Sequence, residues 1–140
     1  MREILFRGRC NEVGKYNGHW IEGHYGEDEG RNEIFFSTKI GIVGYSCEPE
    51  SIGQYTGLTD KNGKKVFEGD ILNVHDQIPM FDGYDTDEIV YNGKVMYIDN
   101  QGMYVCEGDK NGNALCALNL DECEIIGNIH DNPELLEEKE

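Results

Sequence analysis

Three sets of side chains in this chain of 140 residues have the types and the spacing that chemistry could use. The first is His19, Glu22 and His24. Residues two apart in an extended strand share a face, so Glu22 and His24 could converge on one ion. No third ligand is recognisable beside them, and a metal-dependent hydrolase built on them stands only as a second alternative. The second set is Asp60, Glu68 and Asp70, whose carboxylates suit acid–base or metal work by type, yet each stands where a turn or a strand entry already favours it. The third is Asp82, Asp85, Asp87 and Glu88. Their spacing departs from the calcium loop, in which ligands alternate and a glycine occupies the sixth place. Mixed with aromatic and thioether side chains, these acids read instead as a candidate interaction loop made of Met80, Phe81, Asp82, Tyr84, Asp85, Asp87 and Glu88, since binding residues concentrate on loops held by a rigid scaffold. No catalytic, cofactor-binding or metal-binding residue is assigned.

Other reaction signatures are missing from the sequence. There is no Gly-rich phosphate loop, nucleophile elbow or HExxH run. The five cysteines, Cys10, Cys47, Cys106, Cys116 and Cys123, are odd in number and form no CxxC pair, so no zinc knuckle is readable. In a reducing compartment they are most simply small apolar residues, with Cys106 and Cys116 inside expected strands. A cysteine–histidine nucleophilic pair would be distant along the chain and would leave no local signature. The expectation is a protein that is not an enzyme and carries no cofactor.

The elements that must position these residues are strands and turns arranged around residues 51–72. Asp60-Lys61-Asn62-Gly63-Lys64 is a hairpin turn, because Asp and Asn bond to nearby backbone and Asn-Gly tolerates positive φ. Residues 54–58 lead into it, and Val66 and Phe67 suit a half-buried strand after it. Glu68-Gly69-Asp70 then opens onto Ile71-Leu72-Asn73-Val74. Upstream, residues 3–9 read as an edge strand flanked by Arg2, Arg7 and Arg9, and Tyr16-Asn17-Gly18-His19 as a turn. Residues 20–25 follow as a strand, with Trp20, Glu22 and His24 on one face and Ile21, Gly23 and Tyr25 on the other. Residues 34–38 and 39–45 continue the β pattern.

Downstream, a strand at 71–75 ends in Asp76 and the loop occupies 77–88. Asn92-Gly93 is a turn opening 94–98, and Asp99-Asn100-Gln101-Gly102 turns the chain into 103–107. Asp109-Lys110-Asn111-Gly112 repeats the hairpin chemistry before 114–118, and 124–129 is the last strand. Counted from Ile71, five strands fit a small closed barrel. Asn132-Pro133-Glu134 starts a helix, with Asn as cap and Pro at the first helical position. So short a helix is weak alone and needs Leu135 and Leu136 to dock it.

Several of these stretches carry a resemblance. Gln54-Tyr55-Thr56-Gly57-Leu58, Asp60-Lys61-Asn62-Gly63-Lys64, Phe67-Glu68-Gly69-Asp70-Ile71 and Glu124-Ile125-Ile126-Gly127-Asn128-Ile129-His130-Asp131-Asn132-Pro133-Glu134-Leu135 resemble the signature of the YopX-like family, small proteins of phages and prophages. The opening Arg2-Glu3-Ile4-Leu5-Phe6-Arg7-Gly8 fits as well. The resemblance runs from end to end, although residues 78–91 match none of its motifs. It implies a phage-borne protein with an SH3-type small barrel in its C-terminal part, and it implies no activity. The expected fold is mainly β: an N-terminal β subdomain (1–50) packed on a hairpin plus SH3-like barrel (51–130), followed by a short C-terminal helix and tail (131–140).

Composition sets the remaining bounds. Hydrophobic residues make up 38% and glycines number 18, which favours many short strands and turns over long helices. No apolar run approaches the ~20 residues of a spanning helix, and MREILFRGRC lacks a signal-peptide core, so a soluble, cytoplasmic protein is expected, and the resemblance implies that the cell is a bacterial host. The net charge is −16, unevenly spread: residues 1–81 carry 13 acids against 9 bases, residues 82–140 carry 15 against 3. Such a field repels phosphate backbones and counts against direct nucleic-acid binding. The expected function is a non-catalytic adaptor or modulator that binds a protein partner, away from any membrane, with self-association compatible with the same reading. The alternative is an acidic inhibitor that mimics nucleic-acid charge toward a DNA- or RNA-acting enzyme.

Overall fold

A computed structural model describes residues 3–79, 86–108, 112–115 and 118–136, with the backbone alone described at 76–79, 86, 87 and 89. The fold is mainly β, with two antiparallel sheets and almost no helix, and the chain divides into two compact units, Met1–Gly57 and Leu58–Glu140.

In the first unit, β1 (Phe6–Arg9), β2 (Trp20–Asp28), β3 (Arg31–Thr38), β4 (Gly41–Ser46) and β5 (Gly53–Thr59) lie in the order β4-β3-β2-β1-β5. A short 3-10 turn, Pro49–Ser51, precedes β5. The first strand, expected at an edge, is interior, because it pairs with β2 on one side and β5 on the other. Arg7 and Arg9 stand on a sheet face instead, where the Arg7 guanidinium lies 4.9 Å over the Trp20 ring, and Arg2 lies outside the described residues. Between β2 and β3, Glu29 and Gly30 both have positive φ, at 49° and 79°. That pair gives the mirror-image turn whose twist matches two antiparallel strands.

Alternation along β2 is as the sequence reads: Ile21 and Gly23 are buried, Glu22 and His24 exposed. The buried face collects Cys10, Ile21, Ile34 and Cys47, with Phe6, Tyr16, Phe36, Tyr45 and Ile52 against them. On the opposite face the Phe35 ring lies across Gly44 and Gly26, and a Cβ at Gly44 would run into it. An aromatic ring covering a cross-strand glycine supplies the contact area that the glycine lacks.

The second unit begins within β5. The end of that strand turns at Asp60 into β6 (Lys65–Phe67), which pairs back on it, and Gly63 takes the left-handed backbone expected of Asn-Gly, with φ 77°. β7 (Asp70–Pro79), β8 (Thr86–Ile98), β9 (Met103–Glu107), β10 (Gly112–Ala114) and β11 (Glu124–Asn128) form a sheet in the order β10-β9-β8-β7-β11. Its core is Val66, Leu72, Val74, Val95, Cys106, Leu115, Leu118 and Cys123. Among the described residues no ladder joins β10 to β11, so the sheet is open where a closed SH3-type barrel was expected. Closing five short strands requires neighbours of matched length. Here β7 and β8 outrun the rest and pair with each other.

Three local expectations are corrected by the same two strands and by the C-terminal segment. Asn92-Gly93, expected to be a turn, lies inside β8 opposite Asn73 and Leu72. Gly93 serves close packing: a Cβ there would come within 2.7 Å of Cys106 Sγ and 2.9 Å of Tyr91 Cε2. The expected loop 77–88 is overlapped by strand at both ends, because β7 continues to Pro79 and β8 already starts at Thr86. Residues 80–85 lie outside the described residues, as do Cys116 and Ala117 of the expected strand 114–118. The expected C-terminal helix is one 3-10 turn, Pro133–Leu136. Leu135 N–H donates to the Asn132 carbonyl at 3.1 Å, a three-residue step, while the Asn132 side chain turns back to accept from Asn128 N–H at 3.3 Å.

Candidate functional site

The pairing of β7 with β8 runs from Ile71 opposite Lys94 to Pro79 opposite Thr86. Their flanking strands stop early: β11 reaches β7 only up to Asn73, and β9 reaches β8 only from Lys94 onward. Beyond those limits, from Val74 opposite Tyr91 to the Pro79–Thr86 pair, the two strands run as a ribbon with no third strand beside them among the described residues. The two strands reach Pro79 and Thr86, so the ribbon carries the residues on either side of 80–85.

Along one face of the β7–β8 pair, from Glu88 and His75 in the ribbon to Asn73 and Asn92 at its base, the polar side chains form a directed ladder. Leu72 and Val74 point into the core, which leaves Asn73 and His75 on the other face by strand alternation. Glu88 Oε1 lies 3.3 Å from His75 Nδ1, and His75 Nε2 lies 2.9 Å from Asn73 Oδ1. Asn73 Nδ2 donates to Asn92 Oδ1 at 3.0 Å, and Asn92 Nδ2 donates to the Leu135 carbonyl at 3.0 Å. Both oxygens facing the imidazole are acceptors, so a doubly protonated ring makes both contacts and a neutral ring only one. The ladder fixes side chains across the two strands and fastens the C-terminal 3-10 turn to β8. Among the described residues its contacts are hydrogen bonds between side chains and to one backbone carbonyl, the arrangement of a brace. The sequence offered a signal for it, since Asn73 and His75 alternate with buried Leu72 and Val74, but polar residues on a strand's outer face look like ordinary solvated positions.

Of the candidate interaction residues, Met80, Phe81, Asp82, Tyr84 and Asp85 lie outside the described residues. Asp87 is opposite Ile78 and Glu88 opposite Gln77 in the ribbon, and Glu88 is exposed. The carboxylates of the hairpin are not brought together as a site. Asp60 is buried and accepts from the backbone N–H groups of Asn62, Lys64 and Ile125, at 2.9, 3.0 and 2.9 Å. Asp70 is buried too, and its Oδ2 accepts from Phe67 N–H at 2.8 Å. Burial alone would raise the Asp60 carboxyl, but the three N–H donors and the Lys64 charge outweigh it and hold the group below its ordinary 3.8. These are carboxylates of turn and strand entry.

Glu22 and His24 share the exposed face of β2, as the strand period requires. Arg7 is the residue opposite Glu22, and Phe35 the one opposite His24. Among the described residues no group of three or more His, Cys, Asp or Glu side chains is placed to hold a metal ion. Cys10, Cys47, Cys106 and Cys123 are buried free thiols, and burial, before any other cause, pushes Cys47 and Cys106 up to about 12. Thiols held so far from ionisation are poor nucleophiles in the folded state.

No helix of the described residues is long and apolar enough to cross a membrane. No curated protein matches the chain. The crystal structure of protein EF1440 from Enterococcus faecalis is similar over 98% of this chain and 100% of that one, with 26% sequence identity and a TM-score of 0.54. The model of the YopX protein family matches residues 6–137, nearly the whole length, and this chain belongs to that family.

Proposed function

We propose that this chain is a non-catalytic protein-binding adaptor or modulator, encoded by a phage or prophage and working in the bacterial cytoplasm, and that it engages its partner through the β7–β8 ribbon. The observation that carries this reading is the continuation of the two strands past their neighbours, from Val74 opposite Tyr91 to Pro79 opposite Thr86. A two-stranded ribbon is marginal by itself in water, so one extended beyond its sheet and braced by side chains has a use that the fold alone does not supply. Its end joins Met80, Phe81 and Tyr84 to Asp82, Asp85, Asp87 and Glu88. Aromatic anchors among acids suit a basic protein surface with apolar pockets.

The test compares the intact chain with a variant in which residues 80–85 are replaced by an Asn-Gly turn. Proteins captured from a host lysate by the intact chain are purified and titrated against both forms at rising salt. A partner lost with the variant, and bound with a moderate salt dependence, supports the reading. A partner that binds both forms equally removes the ribbon from the interface. A nucleic-acid enzyme as the partner, with binding that collapses steeply in salt, replaces the adaptor by the acidic-inhibitor reading.

A further inference from the structure

The end of β1 meets the end of β4 at a single bridge, Cys10 opposite Cys47. Two backbone bonds bracket it: Asn11 N–H donates to the Ser46 carbonyl at 3.0 Å, and Glu48 N–H donates to the Arg9 carbonyl at 2.9 Å. The backbone groups of the cysteines themselves point away from each other. Cys10 N–H donates to the His19 carbonyl at 2.9 Å, the Cys10 carbonyl accepts from Gly18 N–H at 2.8 Å, and Cys47 N–H donates to the Asn32 carbonyl at 2.9 Å. Cys10 and Cys47 are therefore a non-hydrogen-bonded antiparallel pair, the closer of the two kinds, with Cα atoms about 4.5 Å apart and side chains on one face. That separation falls inside the ~4.4–6.8 Å that a disulfide spans. Both side chains enter the same apolar cluster, at 2% and 1% exposure.

We propose that Cys10 and Cys47 are an oxidation site, a latent cross-strand disulfide that locks β1 to the end of β4 when the protein meets a small disulfide oxidant such as oxidised glutathione. One cysteine thiolate attacks a sulfur of the oxidant, which forms a mixed disulfide and releases one small thiol. The second cysteine thiolate attacks the protein sulfur of that mixed disulfide and releases the other. Two electrons pass from the cysteines to the oxidant, and the two protons end on the small thiols. Burial, then the neighbouring Cys10, pushes the Cys47 thiol up to about 12. The reaction consequently proceeds through local opening. Such opening has to displace the side chains packed on the cluster, among them Tyr16 of the segment 11–19 and Ile52. Cys106 stands opposite Val95 and Asn113, and the cysteine near it, Cys123, shares its buried cluster without being its cross-strand partner.

The experiment incubates the full wild-type chain with oxidised glutathione, in buffer and in urea below the unfolding transition, and maps the products by mass spectrometry without reduction. The expected product is a chain lighter by about 2 Da, from loss of two thiol hydrogens, with a peptide containing Cys10 linked to one containing Cys47. Its thermal midpoint should exceed that of the reduced chain by about 5 °C or more. Three results would each overturn the proposal: a glutathione adduct that persists on Cys10 or Cys47, a cross-link that joins other cysteines instead, or five free thiols under urea conditions in which an alkylating reagent does label Cys10. Because the mapping uses the wild-type chain, it does not depend on a cysteine variant folding.

Discussion

The carboxylate of Asp60 accepts the backbone N–H of Ile125 at 2.9 Å, which ties a hairpin turn to the last strand of the sheet across 65 residues of sequence. The same side chain closes its own turn through Asn62 and Lys64 N–H. Lys61 N–H adds a second tie to the neighbouring segment, donating to the Cys123 carbonyl at 3.0 Å. Asp60 is thus a turn residue by sequence and a junction residue by structure. Replacing it with alanine leaves three donors without their acceptor, and bonds to a charged group contribute about 1.5–3 kcal/mol each with strong overlap. Asp60→Ala should lower the unfolding free energy by about 3 kcal/mol in urea denaturation, and Asp60→Asn by less. A loss under about 1 kcal/mol would mean that water substitutes for the carboxylate.

The same contacts set a pH dependence with a definite sign. The folded-state value of Asp60 lies below its ordinary 3.8, so the unfolded chain binds the proton first on acidification. The contribution of Asp60 is fully present above the ordinary value and is lost as pH falls through the lower folded value. Comparing wild type with Asp60→Asn from pH 7 to pH 2.5, the stability difference should be constant near neutrality and shrink below about pH 4. A difference that widened on acidification would reverse the assignment.

How far the fold was legible in the sequence follows from the range of each signal. Asn62-Gly63 acts over adjacent residues, so its turn leaves a mark in the sequence, whereas the turn at Glu29-Gly30 shows only in the backbone. The alternation around Ile21 and Glu22 separated the two faces of β2, although Tyr25, read onto the face of Ile21, is 39% exposed. Asn92-Gly93 carried the same dipeptide as a turn and misled, because what decides there is Cys106, a residue on another strand that needs the space above Gly93. The ribbon was hidden for a related reason. Gln77 and Glu88 look like loop residues until their partners are known, and pairing across a hairpin is not written in either strand alone. The ladder from Glu88 to Asn92 depends on that same register, so its residues could be read singly and not as a set.

The close approach at Gly93 gives its own prediction. An alanine methyl must displace Cys106 Sγ and the Tyr91 ring edge, and overfilling a packed core costs about 1–3 kcal/mol. Gly93→Ala should destabilise by that amount in denaturant melts. Adding Cys106→Ala removes the nearer obstacle, so the double variant should be more stable than the sum of the two single losses allows, with a coupling of about 1 kcal/mol. Simple additivity would show that strain at Gly93 comes from Tyr91 or from the backbone of Glu107, whose carbonyl carbon would lie 3.2 Å from the new methyl.

The last prediction separates bracing of the ribbon from general stability. Asn73 sits at the middle of the ladder, accepting from His75 and donating to Asn92, so Asn73→Ala cuts the chain of bonds at its centre while leaving the core residues Leu72 and Val74 in place. Strands that lack a third neighbour open locally at low cost, and each lost bond is worth about 1 kcal/mol. Native-state amide exchange in residues 74–78 and 86–91 should therefore accelerate by roughly three- to tenfold in the variant. Exchange at Val66, Val95 and Cys106 should stay within error of the wild type. If those core amides accelerate equally, the ladder supports the second unit as a whole. If neither set changes, the contacts from Glu88 to Leu135 carry no net stability, and the ribbon keeps its length through backbone pairing alone.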